Sequence, residues 1–206
     1  MGSGQFVICE QKAIQREFPN FKSAFMNLDA QLQGLCNVDW KPRTFGQFAG
    51  GANTYVNTTI LPPLFRGILT TQLVTFRQLF TTAGNQTLMY GSAAGRTIPE
   101  DFKIGLMGFA LPNENQHLTE IKMQIGDRKY CRIDLEEIHQ YDQPAVIFEE
   151  GWIVNEEEAI DIYGYIEGPI PTAIGNYTGV WQRIVPIGVA YAKSYDKVGG
   201  APGSAI

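Results

Sequence analysis

Strict alternation of polar and apolar residues in the second half of the chain constrains its fold more than anything else. Between Glu120 and Ile125 every second residue is apolar, which puts Ile121, Met123 and Ile125 on one face. Between Glu158 and Ile166 the same rhythm sets Ile160, Ile162 and Ile166 against Asp161, Tyr163 and Tyr165. A period of two belongs to a pleated strand, whose side chains leave on opposite faces, so each strand covers a core on one side only. These six apolar residues are therefore predicted to lie in the core between two sheets.

Eight strands are predicted, near 68–80, 86–90, 102–111, 118–125, 129–135, 145–153, 158–167 and 180–193. The breaks between them carry turn residues, among them Gly84-Asn85, Pro112-Asn113, Gly126-Asp127, Gln143-Pro144 and Gly175-Asn176. The short break at Gly126 and Asp127 predicts a tight hairpin. Pro186 inside the last strand requires an edge or a bulge, because proline has no N–H to donate to a ladder. The fold class expected is all-β, an eight-stranded antiparallel jelly-roll sandwich with an N-terminal helical arm. An immunoglobulin-like sandwich is the alternative.

The first fifty residues read differently. Phe21, Phe25, Leu28, Leu32 and Leu35 recur at helical spacing and make an apolar stripe. Asn20 stands where a cap is needed, and Gly34 is placed to end the helix. A shorter helical turn is expected near 12–17. The passage around Gly50 and Gly51 reads as a hinge. The domain organisation expected is an arm and hinge over 1–53, a jelly-roll domain over 54–195, and a flexible Gly- and Pro-rich tail over 196–206. On this division, deleting residues 1–44 should leave a folded β domain.

Composition narrows the function classes. The formal charge of −5 opposes a chain that wraps phosphate backbones, so no direct sequence-specific nucleic acid partner is expected. Charged residues make up only 18% of the chain, which suits surfaces covered by other subunits. There is no apolar run of membrane-spanning length. The three cysteines, Cys9, Cys36 and Cys131, are far apart and form no C-x-x-C pair, so they are read as reduced and structural.

Catalytic chemistry finds little to work with. The only two histidines are His117 and His139, without the close pairing that a cupin metal site uses. Asp134, Glu136, Glu137, His139 and Asp142 cluster in one segment that could offer oxygens to calcium, although a solvated connection explains them as well. There is no nucleophile elbow and no phosphate-binding glycine loop. No catalytic residue, metal or cofactor is assigned, and no enzyme is expected. Trp152, Tyr163, Tyr165, Tyr177 and Trp181 gather late in the chain and could grip sugar rings. The plainer reading puts both tryptophans in the core and the tyrosines at an interface. Sequons at Asn57, Asn85 and Asn176 are candidate glycan sites.

With its strand count, helical arm, neutral amide-rich surfaces and polar tail, the chain resembles single-jelly-roll virion structural proteins over about 60–195. That class includes capsid subunits and the cement or decoration proteins of phage heads. The resemblance implies self-assembly, with neighbouring virion proteins and other copies of the chain as partners. It implies a place in the virion after assembly in the host cytoplasm. Phe21, Phe25, Leu28 and Leu32 are the candidate assembly contacts. A carbohydrate- or protein-binding sandwich is the alternative function, and a cupin-like enzyme the second alternative.

Overall fold

The computed structural model describes residues 6–40, 56–58, 60, 76–80, 83–89, 97–98, 100–111, 117–126, 128–135, 141–167, 170 and 179–193. They form an all-β sandwich with a helix on its outside. The strands are β1 (Phe6–Glu10), β2 (Val56–Thr58), β3 (Arg77–Phe80), β4 (Gly84–Met89), β5 (Phe102–Ala110) and β6 (Leu118–Ile125). After them come β7 (Arg128–Asp134), β8 (Pro144–Val154), β9 (Ile160–Ile166), β10 (Val180–Arg183) and β11 (Val185–Ala192). A 3-10 turn (Gln11–Ala13) and α1 (Ile14–Glu17) lead to α2 (Phe21–Asp39).

Two sheets make the sandwich. Sheet I has five strands in the order β1-β8-β5-β11-β2, and sheet II has four in the order β4-β9-β6-β7. A separate ribbon pairs β10 with β3. Five of the eight antiparallel pairs among the described residues are nested: β2 with β11, β3 with β10, β4 with β9, β5 with β8, and β6 with β7. The chain thus doubles back as one long hairpin with its tip between β6 and β7. Gly126 turns that tip with φ of 55°, a conformation that costs glycine nothing.

The alternation seen in the sequence fixes the inner faces. Ile121, Met123, Ile125, Ile160, Ile162 and Ile166 are all buried in the core, as their period of two predicts. From sheet I they meet Phe102, Ile104, Leu106 and Phe109 of β5 with Phe148 and Trp152 of β8. Phe109, Phe148 and Trp152 stack edge to face, with centroids 5.9 and 6.2 Å apart. Such pairs add about 0.5–1.5 kcal/mol each beyond the area they bury.

All nine residues of β5 are buried, which period two cannot produce in a two-layer sandwich. The cause is a third layer. Helix α2 lies on the outer face of sheet I and covers Met107, Ala145 and Ile147 with Leu28. The floor beneath it is glycine. A Cβ at Gly151 would fall 2.8 Å from Met107 Sδ and closer still to Leu28 Cδ2, while one at Gly105 would press Leu28 at 3.2 Å.

Several expectations change. Helix α2 runs through Gly34 to Asp39, because Gly34 faces open space and nothing there forces the chain to turn. Asn20 holds the cap position, but its side chain makes no capping hydrogen bond. The buried stripe is Leu28, Leu32 and Cys36, continued by Trp40, while Leu35 is exposed. Residues 6–10 form a strand where none was expected, paired with β8 in sheet I. β2 is likewise unanticipated, and the strand expected over 180–193 is two, β10 and β11. Pro186 pairs only with β5, since β2 reaches no further than Ala190, and a bulge follows at Ile187 and Gly188. The expected hinge and tail, and the start of the strand over 68–80, lie outside the described residues.

Candidate functional site

Lys103 is the residue whose place most demands explanation. On β5 it alternates with Phe102 and Ile104, so it points away from the inter-sheet core, yet it is only 2% exposed. The end of α2 covers it. Its Nζ lies 2.8 Å from Asp39 Oδ2 and 3.6 Å from Glu156 Oε1, and it donates to Asn155 Oδ1 at 3.4 Å. The Trp40 ring sits over the same nitrogen at 5.2 Å from its centroid. An ammonium cannot stay in such a place without charged partners, and here two carboxylates supply them.

The neighbouring groups are themselves held. Glu156 Oε1 accepts from Trp40 Nε1 at 3.2 Å, and its Oε2 accepts from the Asp101 backbone N–H at 2.9 Å. Asn155 sits in a turn where its N–H donates to Glu158 Oε2 at 3.0 Å and its carbonyl accepts from the Glu158 N–H at 3.3 Å. About two to three turns back along α2, Tyr191 donates to Asp29 Oδ1 at 2.8 Å and accepts from Gln33 Nε2 at 2.9 Å. Burial, and then the hydrogen bond to Asp29, pushes the Tyr191 phenol up to about 12. Polar latches and an apolar stripe therefore hold the same helix.

Beside the N-terminal half of α2, a groove of about 380 Å³ opens against β8. Asn20, Ser23, Asn27 and Gln31 line one wall, and Glu149 and Glu150 the other. Its amides, hydroxyl and carboxylates can exchange hydrogen bonds with a polar ligand but offer no strong nucleophile.

The outer face of sheet II carries a second arrangement. Tyr163 and Tyr165 leave β9 on the same side and are half-buried. Lys122 pairs with Tyr163 across β6 and β9, and its Nζ lies 5.9 Å from the Tyr165 ring centroid. Glu120 binds Lys122 at 3.1 Å and is also bridged to Arg132. Trp152 fills the core as expected, whereas Trp181 is 49% exposed and does not. Tyr177 lies outside the described residues.

Of the expected assembly contacts, Leu28 and Leu32 are buried against the chain's own sheet I, at 4% and 0% exposure. Their apolar surface is satisfied within one molecule, and Phe21 and Phe25, both half-buried, pack against the same cluster as Leu28. His117 lies in the turn before β6, while His139, Glu136 and Glu137 are outside the described residues. Asp134 and Asp142 are exposed. Asn57 is exposed on β2, Asn85 lies in β4, and Asn176 is outside the described residues. Cys9 and Cys36 are buried and Cys131 is partly buried, all three as free thiols. Among the described residues no helix is long and apolar enough to cross a membrane, and no three metal-ligating side chains gather.

Sequence reasoning passed over Lys103, since a lysine in an alternating strand reads as solvent-facing. The one available signal was Trp40, an apolar residue continuing the Leu28, Leu32 and Cys36 series beyond the point where the helix was expected to stop. No protein-family model, no curated protein and no solved structure matches this chain.

Proposed function

We propose that the chain is a structural virion protein, a capsid or capsid-cementing subunit, that acts through contacts with copies of itself and with neighbouring virion proteins. The observation that carries this reading is the nested pairing. First strand with last, and successive pairs dealt alternately to two sheets, is how a long hairpin rolls into a jelly roll. In that reading β2 with β3, and β10 with β11, each count as one interrupted strand, which gives the eight strands of the roll, with β1 added at the edge of β8. An immunoglobulin-like sandwich pairs its strands in a different order. Jelly rolls serve in capsids, lectins and cupins, so the surface must discriminate among them. Met26, Val38 and Trp181 stand 60%, 72% and 49% exposed, apolar surface that such assembly would cover.

Size-exclusion chromatography with light scattering tests the proposal, followed by negative-stain microscopy of the concentrated protein. Oligomers or shells are expected. A monomer that persists at high concentration would remove this reading's support.

The second reading, a carbohydrate-binding sandwich, draws on the tyrosine pair of sheet II, where two rings lie beside Lys122, Glu120 and Arg132. Titration with oligosaccharides should then show binding that Tyr163→Ala and Tyr165→Ala abolish. Binding unchanged in both variants would exclude that face.

A further inference from the structure

We propose that Lys103 and Asn155 become joined by an intramolecular isopeptide bond, with Glu156 carrying the protons. The three groups are already assembled: Nζ lies 3.4 Å from Asn155 Oδ1 and 3.6 Å from Glu156 Oε1. The carboxamide carbon is one bond, about 1.2 Å, from that oxygen. Reacting groups held this close gain the large effective concentration of an intramolecular reaction. Each party is also fixed from behind, Asn155 by the Glu158 turn and Glu156 by Trp40 and the Asp101 N–H. Lys103 is 2% and Trp40 3% exposed, so the amine is shielded from water, while Asn155 and Glu156 are half-buried.

The chemistry balances without an external reagent. Lys103 passes one ammonium proton to the Glu156 carboxylate. The neutral amine attacks the Asn155 carboxamide carbon and forms the new C–N bond. Glu156 protonates the carboxamide nitrogen and takes a second proton from Nζ. The old C–N bond breaks, ammonia departs, and it collects that proton from Glu156 as ammonium. The net change converts a lysine ammonium and an asparagine carboxamide into a secondary amide and ammonium, with Glu156 restored. Asp39 lies nearer, at 2.8 Å, but an ionised carboxylate repels a nucleophile, and this one is 42% exposed to water. Its role is to hold the lysine in place.

The bond would tie β5 to the residue that follows β8, beyond their last pair at Ile104 and Val154. Intact-mass spectrometry of the folded, full-length protein tests it, followed by tandem sequencing of its proteolytic peptides. The expected mass is lower than the sequence mass by one ammonia, about 17 Da. A branched peptide should join residues 103 and 155. Asn155→Ala and Glu156→Gln should both show full mass and no branched peptide while circular dichroism reports a folded chain. Full mass in the wild type overturns the proposal, and so does a deficit without the branched peptide or one retained in Asn155→Ala. A water-sized deficit with a branch at Asp39 overturns the choice of Asn155. A cross-link that survives Glu156→Gln overturns the role of Glu156. If Glu156→Gln fails to fold, the wild-type peptide map still decides whether the bond exists.

Discussion

The indole of Trp40 lies over the ammonium nitrogen of Lys103, 5.2 Å from ring centroid to Nζ, and seals the end of α2 against sheet I. Trp40 is the first residue beyond the helix, and its N–H still donates to the Cys36 carbonyl at 2.9 Å. One residue thus ends the helix, covers a buried cation and hydrogen-bonds Glu156. This contact makes α2 a layer of the fold.

Truncation should show it. Residues 1–44 include β1, which pairs with β8 throughout Phe6–Glu10, and α2, which covers Met107, Ala145 and Ile147. Their removal leaves an apolar sheet face and a buried lysine without its Asp39 partner. Contrary to the expectation from sequence, the truncated chain should be insoluble or unfolded by circular dichroism. A soluble, cooperatively melting product would mean that sheet I does not need its helix.

Glycine substitutions should separate the two sides of the same helix interface. Gly151→Ala puts a methyl group against Leu28 and Met107, and overpacking of this kind costs about 1–3 kcal/mol. Gly34→Ala meets nothing within 4 Å and should instead stabilise by about 0.5–1 kcal/mol through helix propensity. Urea denaturation measures both. Equal effects would mean that the helix is not seated on the sheet as described.

Within the sandwich, Ile162→Ala should destabilise by about 2–5 kcal/mol, since Ile162 is fully buried between the sheets. A loss below about half a kilocalorie would invert the register of β9.

The thiols and Tyr191 predict an alkaline limit to stability. Burial is the main cause that lifts Cys9 and Cys131 from 9.0 to about 11 and Cys36 from 9.0 to about 12. Tyr191 rises from 10.0 to about 12. A raised value in the fold means that the unfolded chain loses its proton first. The stability these groups contribute is therefore complete below pH 9 and declines as pH climbs toward 11–12. The urea midpoint should fall over that window, and Tyr191→Phe should soften the part above pH 10. Alkylation of the native protein at neutral pH should be slow at all three thiols. Rapid native labelling of Cys36 would contradict its burial.

The six inward residues of β6 and β9 were legible because period two is local, and a strand with one face inward must alternate. The turn at Gly126 was legible for the same reason, as the demand for positive φ lies in the residue itself. The helix was legible as a helix, but its end was not. Gly34 looks like a stop wherever nothing downstream is known, and only the contact of Trp40 with Lys103 and Glu156 carries the chain onward.

The polar sites were beyond the sequence altogether. Lys103, Asp39 and Asn155 are separated by dozens of residues, and no local pattern distinguishes a lysine under a helix from a lysine in water. The nested pairing is similar: each strand announces itself, but its partner lies across the hairpin and is chosen by which faces can be buried together. The sequence by itself determined the elements and their inward faces, through turn chemistry and periodicity. The tertiary structure alone decided that sheet I has two covered faces, because burial of its outer face depends on where a helix from the other end of the chain comes to rest.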